Sequence, residues 1–269
     1  GEEVLSLHGR ERRWVSVVSW SPDGSRIITD DISGTTAHIW DASTGEELLS
    51  LRGHNQWACA LAWSPDSRRI ITAFDSAEPR VWDAATGQTQ LVLGAGNSVE
   101  TVSWSPDGTR LSIGAKIGGN RVWDATTGEP RLTVDNGARE LSEVVWSPDG
   151  TRLATSSYLS PRVLILDAST GDVVQALTAG EDDVNDIAWS PDSERILTGL
   201  GDDRAAIWDA ARGERLLTLE GHSDMITSVA WSPNGQRALT GSQDGTARIW
   251  DATTGEVIHT YTGNWVRDV

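Results

Sequence analysis

The feature that most constrains this chain is its periodicity. Trp-Ser-Pro recurs at Trp20, Trp63, Trp104, Trp146, Trp189 and Trp231, at intervals of 43, 41, 42, 43 and 42 residues. A second marker, Trp-Asp, stands at Trp40-Asp41, Trp82-Asp83, Trp123-Asp124, Trp208-Asp209 and Trp250-Asp251, with Leu166-Asp167 at the corresponding place in the fourth repeat. Each lies 19 or 20 residues after its partner. A period near forty residues means that one supersecondary unit is copied six times and that each copy buries its apolar face against the next.

The clearest copy runs from Ile226 to Gly255. Its first part alternates apolar and polar residues into Trp231. Ser-Pro-Asn-Gly follows, where Pro233 presets φ and Gly235 lets the chain leave the turn. Gln236 to Ser242 reads as a second strand closed by Asp244-Gly245, and Thr246 to Asp251 as a third with period-two alternation. Ala-Thr-Thr-Gly is again turn chemistry, and a fourth alternating run begins at Gly255. Four short antiparallel strands per repeat predict an all-β chain. The 27 glycines and 9 prolines suit so many turns, whereas 14 tryptophans beside one Phe and two Tyr need a separate explanation. The two markers take all of them except Trp14, Trp57 and Trp265.

Over essentially its whole length, 1–269, the chain resembles the WD-repeat β-propeller family. The resemblance implies a single domain of six four-stranded antiparallel blades, with part of a seven-bladed or longer array as the alternative. It also implies an internal hydrogen-bonded tetrad of His, Ser or Thr, Asp and Trp. The sixth repeat has all four, in His222, Thr240, Asp244 and Trp250. The second keeps His54, Thr72 and Trp82 with Ser76 near the Asp position, and the fifth keeps Thr198, Asp202 and Trp208 without the His. The third carries Ile113 and Ile117 and the fourth Leu166, so these two are expected to be the loosest blades. Both termini, Gly1 to Leu7 and Gly255 to Tyr261, read as fourth strands, and a six-bladed ring with one redundant terminal strand is the favoured closure. That strand offers exchange between copies. The opening residues nearly copy Gly45 to Gly53, so the chain is expected to be a piece of a larger signalling protein.

Charge and composition narrow the chemistry. Lys and Arg number 22 against 39 Asp and Glu, a net charge of -17, and Lys116 is the only lysine. Nucleic acid is therefore not expected as a partner. The absence of any apolar run of spanning length argues against a membrane. A single cysteine, Cys59, forms no internal disulfide and suits a cytoplasmic setting. The five histidines, His8, His38, His54, His222 and His259, have no metal-ligand spacing, and no cofactor or metal is implied. Asp30-Asp31, Asp182-Asp183 and Asp202-Asp203 have the hard-oxygen chemistry of a cation site, but turn aspartates more simply bond their own backbone. No nucleophile and base stand in a recognisable relation, so the chain reads as a non-enzyme.

The binding surface is implied by the resemblance. Trp14, Trp57 and Met225 lie six residues before their Trp-Ser-Pro tryptophans, on the face such proteins present to partners; Ser98, Glu140 and Asp183 share that offset. The contact positions two residues further on are Ser16, Cys59, Glu100, Ser142, Asn185 and Thr227. Asp75, Lys116, Gly201 and Gln243 join them from the turn between second and third strands. This face would be aromatic on one arc and acidic on the other. The expected partner is a protein or peptide with apolar or basic side chains, anchored by Trp14 and Trp57 and selected for positive charge by Glu100, Glu140 and Asp183. Two alternatives stand beside it: the indoles pack against neighbouring blades, or they stack on sugar rings in a small-ligand or glycan-binding propeller.

Overall fold

A computed structural model describes residues 15, 17–30, 36–53, 58–74, 77–95, 99–115, 120–134, 141–157, 160–180 and 182–263, without the side chains of 58, 59, 74, 77, 120, 141 and 142. The described residues form six antiparallel sheets of four strands, each in chain order. The first holds β1 (Val18–Trp20), β2 (Arg26–Thr29), β3 (Thr36–Asp41) and β4 (Glu47–Arg52). The second holds β5 (Ala58–Trp63), β6 (Arg69–Phe74), β7 (Ala77–Asp83) and β8 (Thr89–Val92). In the third are β9 (Val99–Trp104), β10 (Arg110–Ala115), β11 (Asn120–Asp124) and β12 (Pro130–Val134). The fourth contains β13 (Leu141–Trp146), β14 (Arg152–Ser157), β15 (Arg162–Asp167) and β16 (Val173–Thr178). The fifth contains β17 (Val184–Trp189), β18 (Arg195–Leu200), β19 (Arg204–Asp209) and β20 (Arg215–Glu220), and the sixth β21 (Ile226–Trp231), β22 (Arg237–Ser242), β23 (Thr246–Asp251) and β24 (Val257–Thr262). These are the six four-stranded units that the repeat pattern implies. The C-terminal run fills the outer place in the sixth sheet, as β24 on β23, while the competing N-terminal run lies outside the described residues.

Contacts divide the chain into two compact units, Gly1–Thr133 and Val134–Val269. Each is built the same way. Every first strand ends at its tryptophan in a turn closed by backbone hydrogen bonds, as in Gly24 N to Ser21 O at 2.8 Å and Ser21 N to Arg26 O at 2.9 Å. The Ser21 hydroxyl donates to Asp23 and accepts from the Arg26 amide. The turn then needs a residue at positive φ, supplied by glycine in four of the repeats and by Ser67 (φ 59) and Ser193 (φ 64) in the other two. These serines give up glycine's freedom. In return their hydroxyls accept the amides of Asp23 and Asp149 on the preceding sheet.

Neighbouring sheets within a unit are clasped by one recurring contact. Trp63 Nε1 donates to Ser19 O and Trp104 Nε1 to Ala62 O in the first unit; Trp189 and Trp231 do the same to Val145 O and Ala188 O in the second. Over each indole lies an arginine from the preceding sheet. Arg26 covers Trp63, Arg69 covers Trp104, Arg152 covers Trp189 and Arg195 covers Trp231, at 4.6–4.9 Å from the ring centre. Arg69 also donates to Ala125 O and Gly108 O, so its charge is solvated by carbonyls while its planar face stacks. Apolar residues fill the space behind: Ile28, Ile39, Leu51, Ile70 and Trp82 belong to one such cluster, and Ile165, Leu177, Ile196 and Trp208 to another.

The tetrad is complete in the sixth sheet. Trp250 Nε1 donates to Thr240 Oγ1 at 2.8 Å, His222 lies 2.7 Å from the same hydroxyl, and its other nitrogen is 2.9 Å from Asp244. Its core step survives elsewhere as Trp82 to Thr72, Trp208 to Thr198 and, in the first sheet, Trp40 to Thr29. The third and fourth sheets lose complementary halves. Ile113 replaces the hydroxyl and Trp123 Nε1 is orphaned; Leu166 replaces the indole and Thr155 Oγ1 is orphaned, neither having a partner among the described residues. Thr240→Val should therefore cost about 2–3 kcal/mol, because it strands two buried groups, whereas Thr155→Val should be neutral or gain up to about 1 kcal/mol. Chemical denaturation of the two variants checks this, and equal losses would contradict it. Amide exchange should likewise be faster in the third and fourth sheets than in the sixth.

Candidate functional site

The described part of the expected binding face lies chiefly in the second unit, where the loops entering β17 and β21 meet the turns leaving β18 and β22. Alternation along β17 leaves Asn185 exposed while Val184 and Ile187 are buried. Its side-chain amide donates to Ile226 O at 2.9 Å, tying β17 to the start of β21. Asp183, half-buried, accepts the Gly201 amide on its carbonyl, and Met225 accepts that of Gln243 in the same way. Thr227 donates its hydroxyl to Gly241 O. Asp183, Asn185, Gly201, Met225, Thr227 and Gln243 are thus brought into one connected rim on a rigid backbone. Glu100 lies on β9 of the first unit, half-buried. Trp14, Ser16, Trp57, Asp75, Lys116 and Glu140 lie outside the described residues, as do the side chains of Cys59 and Ser142.

Among the described paired acids, Asp30, Asp182 and Asp202 behave as turn and ion-pair residues, and Asp31 lies outside the described residues. Arg204 bonds Asp202 through its backbone amide and its guanidinium and approaches Asp182 at 3.8 Å. Asp30 accepts the Val17 amide. The aspartates of both markers are similar. Asp41 accepts the Ser43 hydroxyl and the amides of Ser43 and Thr44, which hold its carboxyl down at about 2, and the Ser21 hydroxyl with the Ser25 amide does the same for Asp23. Among the described residues no group of three or more His, Cys, Asp or Glu could hold a metal ion.

One acidic pair is of another kind. Glu143 on β13 accepts the Ile187 amide at 3.0 Å, and Asp186 on β17 accepts the Val229 amide at 2.6 Å, so two carboxyls join three successive first strands. Glu143 and Asp186 also hydrogen-bond each other. Two carboxylates cannot share such an enclosed space fully ionised. Burial first, and then the Asp186 charge, push Glu143 well up, and burial raises Asp186 to about 6. Glu143 keeps the proton and donates it to Asp186. Both stand three residues before a Trp-Ser-Pro tryptophan, at equivalent places on two first strands.

Residues 1–41, 45–83 and 213–251 match the family model described as WD domain, G-beta repeat. Residues 119–192 match that of the Anaphase-promoting complex subunit 4 WD40 domain. No curated protein matches the chain. Among solved structures, the crystal structure of a computationally designed protein, Ika8, superposes with a TM-score of 0.83 at 23% identity, covering 94% of this chain and 76% of that one. Solved structures of 1872 chains match, so the architecture alone selects no function.

The titrations give opposed pH dependences. Depressed turn aspartates stabilise the fold above their unfolded value near 4 and lose that effect as pH falls through about 2. The raised Glu143–Asp186 pair stabilises fully below about 4 and loses its effect as pH rises through about 6 and beyond. Thermal stability should peak in mild acid, at roughly pH 4–6. Glu143→Gln, which keeps both hydrogen bonds without titrating, should flatten the decline on the alkaline side. A melting profile unchanged by that substitution would contradict the shared proton.

Proposed function

The chain belongs to the WD-repeat β-propeller family, and from that premise we propose that it is a non-enzymatic module that binds a protein or peptide segment and acts as a scaffold within a larger assembly. The observation that carries this reading is the rim of the second unit. Asn185, Met225, Thr227 and Gln243 sit at or beside strand ends whose backbones are cross-bonded, so a partner meets a surface whose backbone has little entropy left to lose. Met225 offers a polarizable apolar contact, and Asp183, at the same offset in the preceding repeat, favours a basic partner residue. In the proposed mode Trp14 and Trp57 are apolar anchors, and Glu100 and Glu140 extend the selection for positive charge. WD-repeat propellers generally serve as interaction platforms rather than enzymes. The similarity of residues 119–192 to a WD40 domain named for a complex subunit agrees with a scaffold role. The same reading puts the chain in the cytoplasm, where a lone Cys59 stays reduced.

A peptide array scored for binding, followed by titration of the tightest basic or apolar peptide, tests the proposal. Met225→Ala with Gln243→Ala should weaken binding at least about tenfold, or about 1.4 kcal/mol, with the melting temperature unchanged. Trp14→Ala with Trp57→Ala should abolish it. Affinity unaffected by both pairs, in folded variants, would overturn the assignment.

A further inference from the structure

We propose that Asn234-Gly235, in the turn between β21 and β22, is a deamidation site at which the asparagine amide becomes aspartate or isoaspartate, and that the isoaspartate form loosens the clasp between the fifth and sixth sheets. This chemistry is independent of the binding rim. Asp23, Asp66, Asp107, Asp149 and Asp192 hold the equivalent place in the other repeats, so the sixth alone carries an amide there, followed by glycine. Asn234 is exposed. Its Oδ1 accepts the Ser232 hydroxyl at 2.8 Å and the Gln236 amide at 3.1 Å, the same two bonds that Asp149 takes from Ser147 and Thr151. A neutral amide stands in a carboxylate's place.

The turn favours ring closure at this amide. Gly235 has no Cβ to obstruct the approach of its nitrogen. Its carbonyl accepts Arg195 Nη2 at 2.8 Å, so a guanidinium stands beside the peptide group that must lose a proton and lowers the cost of the negative charge that develops. The Asn234 amide, unlike those of Asp23 and Asp149, is held by no hydroxyl of another sheet among the described residues. The Gly235 N–H donates to Ser232 O, and brief opening of this exposed turn frees it. The Gly235 nitrogen, its proton passed to solvent, then bonds to Asn234 Cγ, and the side-chain nitrogen takes up a proton and leaves as ammonia. Water opens the resulting five-membered imide at either carbonyl, giving aspartate or isoaspartate.

The two products act differently on the clasp. Aspartate keeps both bonds of the turn, and Arg237 stands where Arg152 and Arg195 approach Asp149 and Asp192 at 3.9 and 3.8 Å. Isoaspartate lengthens the main chain by a methylene just before Gly235. That displaces the carbonyl which solvates Arg195, whose guanidinium lies 4.6 Å from the Trp231 ring centre. There is little slack, since a Cβ at Gly235 would already stand 3.4 Å from Arg195 Nη2. A guanidinium that has lost a partner is held less firmly on its ring.

The test uses the folded chain with Asn136→Asp, which removes the other Asn-Gly pair of the sequence, at Asn136-Gly137 outside the described residues. The protein is kept in mildly alkaline buffer and sampled over weeks. Mass spectrometry of the tryptic peptide 216–237 should show amide turning to acid at a rate within about tenfold of the same chain in urea. The isoaspartate form, purified from the acidic pool, should melt at least about 3 °C below the Asn234→Asp variant, which should itself melt no lower than the unconverted chain. With Arg195→Met also present the clasp is already gone, and the isoaspartate form and the Asn234→Asp variant should melt together. An Asn234 that survives in the folded chain while the chain in urea converts would overturn the site. An isoaspartate form that melts with Asn234→Asp, or a gap that Arg195→Met leaves unchanged, would overturn its effect on the clasp.

Discussion

Each sheet-to-sheet clasp joins an indole to the sheet before it in two ways at once: its N–H donates to a carbonyl of that sheet, and its face lies under that sheet's arginine. Neither group suits burial alone. A guanidinium in an apolar layer costs several kcal/mol unless its donors are met, and a buried indole N–H needs an acceptor. The repeat meets both needs by placing two turn carbonyls around the arginine, as Ala125 and Gly108 do for Arg69. The clasp therefore depends on the turns. Their aspartates, held ionised by hydroxyls and amides, account for much of a net charge of -17.

With the clasp and the turns in place, the rest of each repeat is free to vary. The tetrad shows how far: complete around Thr240, represented among the described residues by the indole-to-hydroxyl step at Thr72, Thr198 and Thr29, and broken into orphaned halves at Trp123 and Thr155. A sheet that has lost its tetrad still packs because its apolar residues remain buried, Ile113 and Leu166 among them. Local stability and fold identity are in this sense separate quantities.

Strand order was legible because the tryptophans, the Pro-containing turns and the period-two runs all point the same way, and the outer strand from Gly255 forms where its alternation implies. The clasping arginine was not legible, although it recurs six residues after every Trp-Ser-Pro tryptophan, because one arginine among many charged residues resembles an ordinary surface group. Glu143 and Asp186 were hidden for a related reason: most acids of this chain serve turns, and only a neighbouring sheet shows that these two face each other. The rim of Asp183, Asn185, Met225, Thr227 and Gln243 was implied by the resemblance to the family, which puts contact positions at fixed offsets from each Trp-Ser-Pro tryptophan, and its use as a binding surface is the proposal made above. Its partner stays a matter of chemistry, since side chains at strand ends are set by what they bind and not by the period that builds the strands.

The dependence of this architecture on the indole–guanidinium clasp is tested most directly by a double-mutant cycle in urea. Arg195→Met and Trp231→Phe are measured singly and together. A coupling of about 0.5–2 kcal/mol is predicted for a stacked, partly desolvated pair. A coupling indistinguishable from zero would show that the sheets are held by apolar burial alone and would contradict a central role for the clasp.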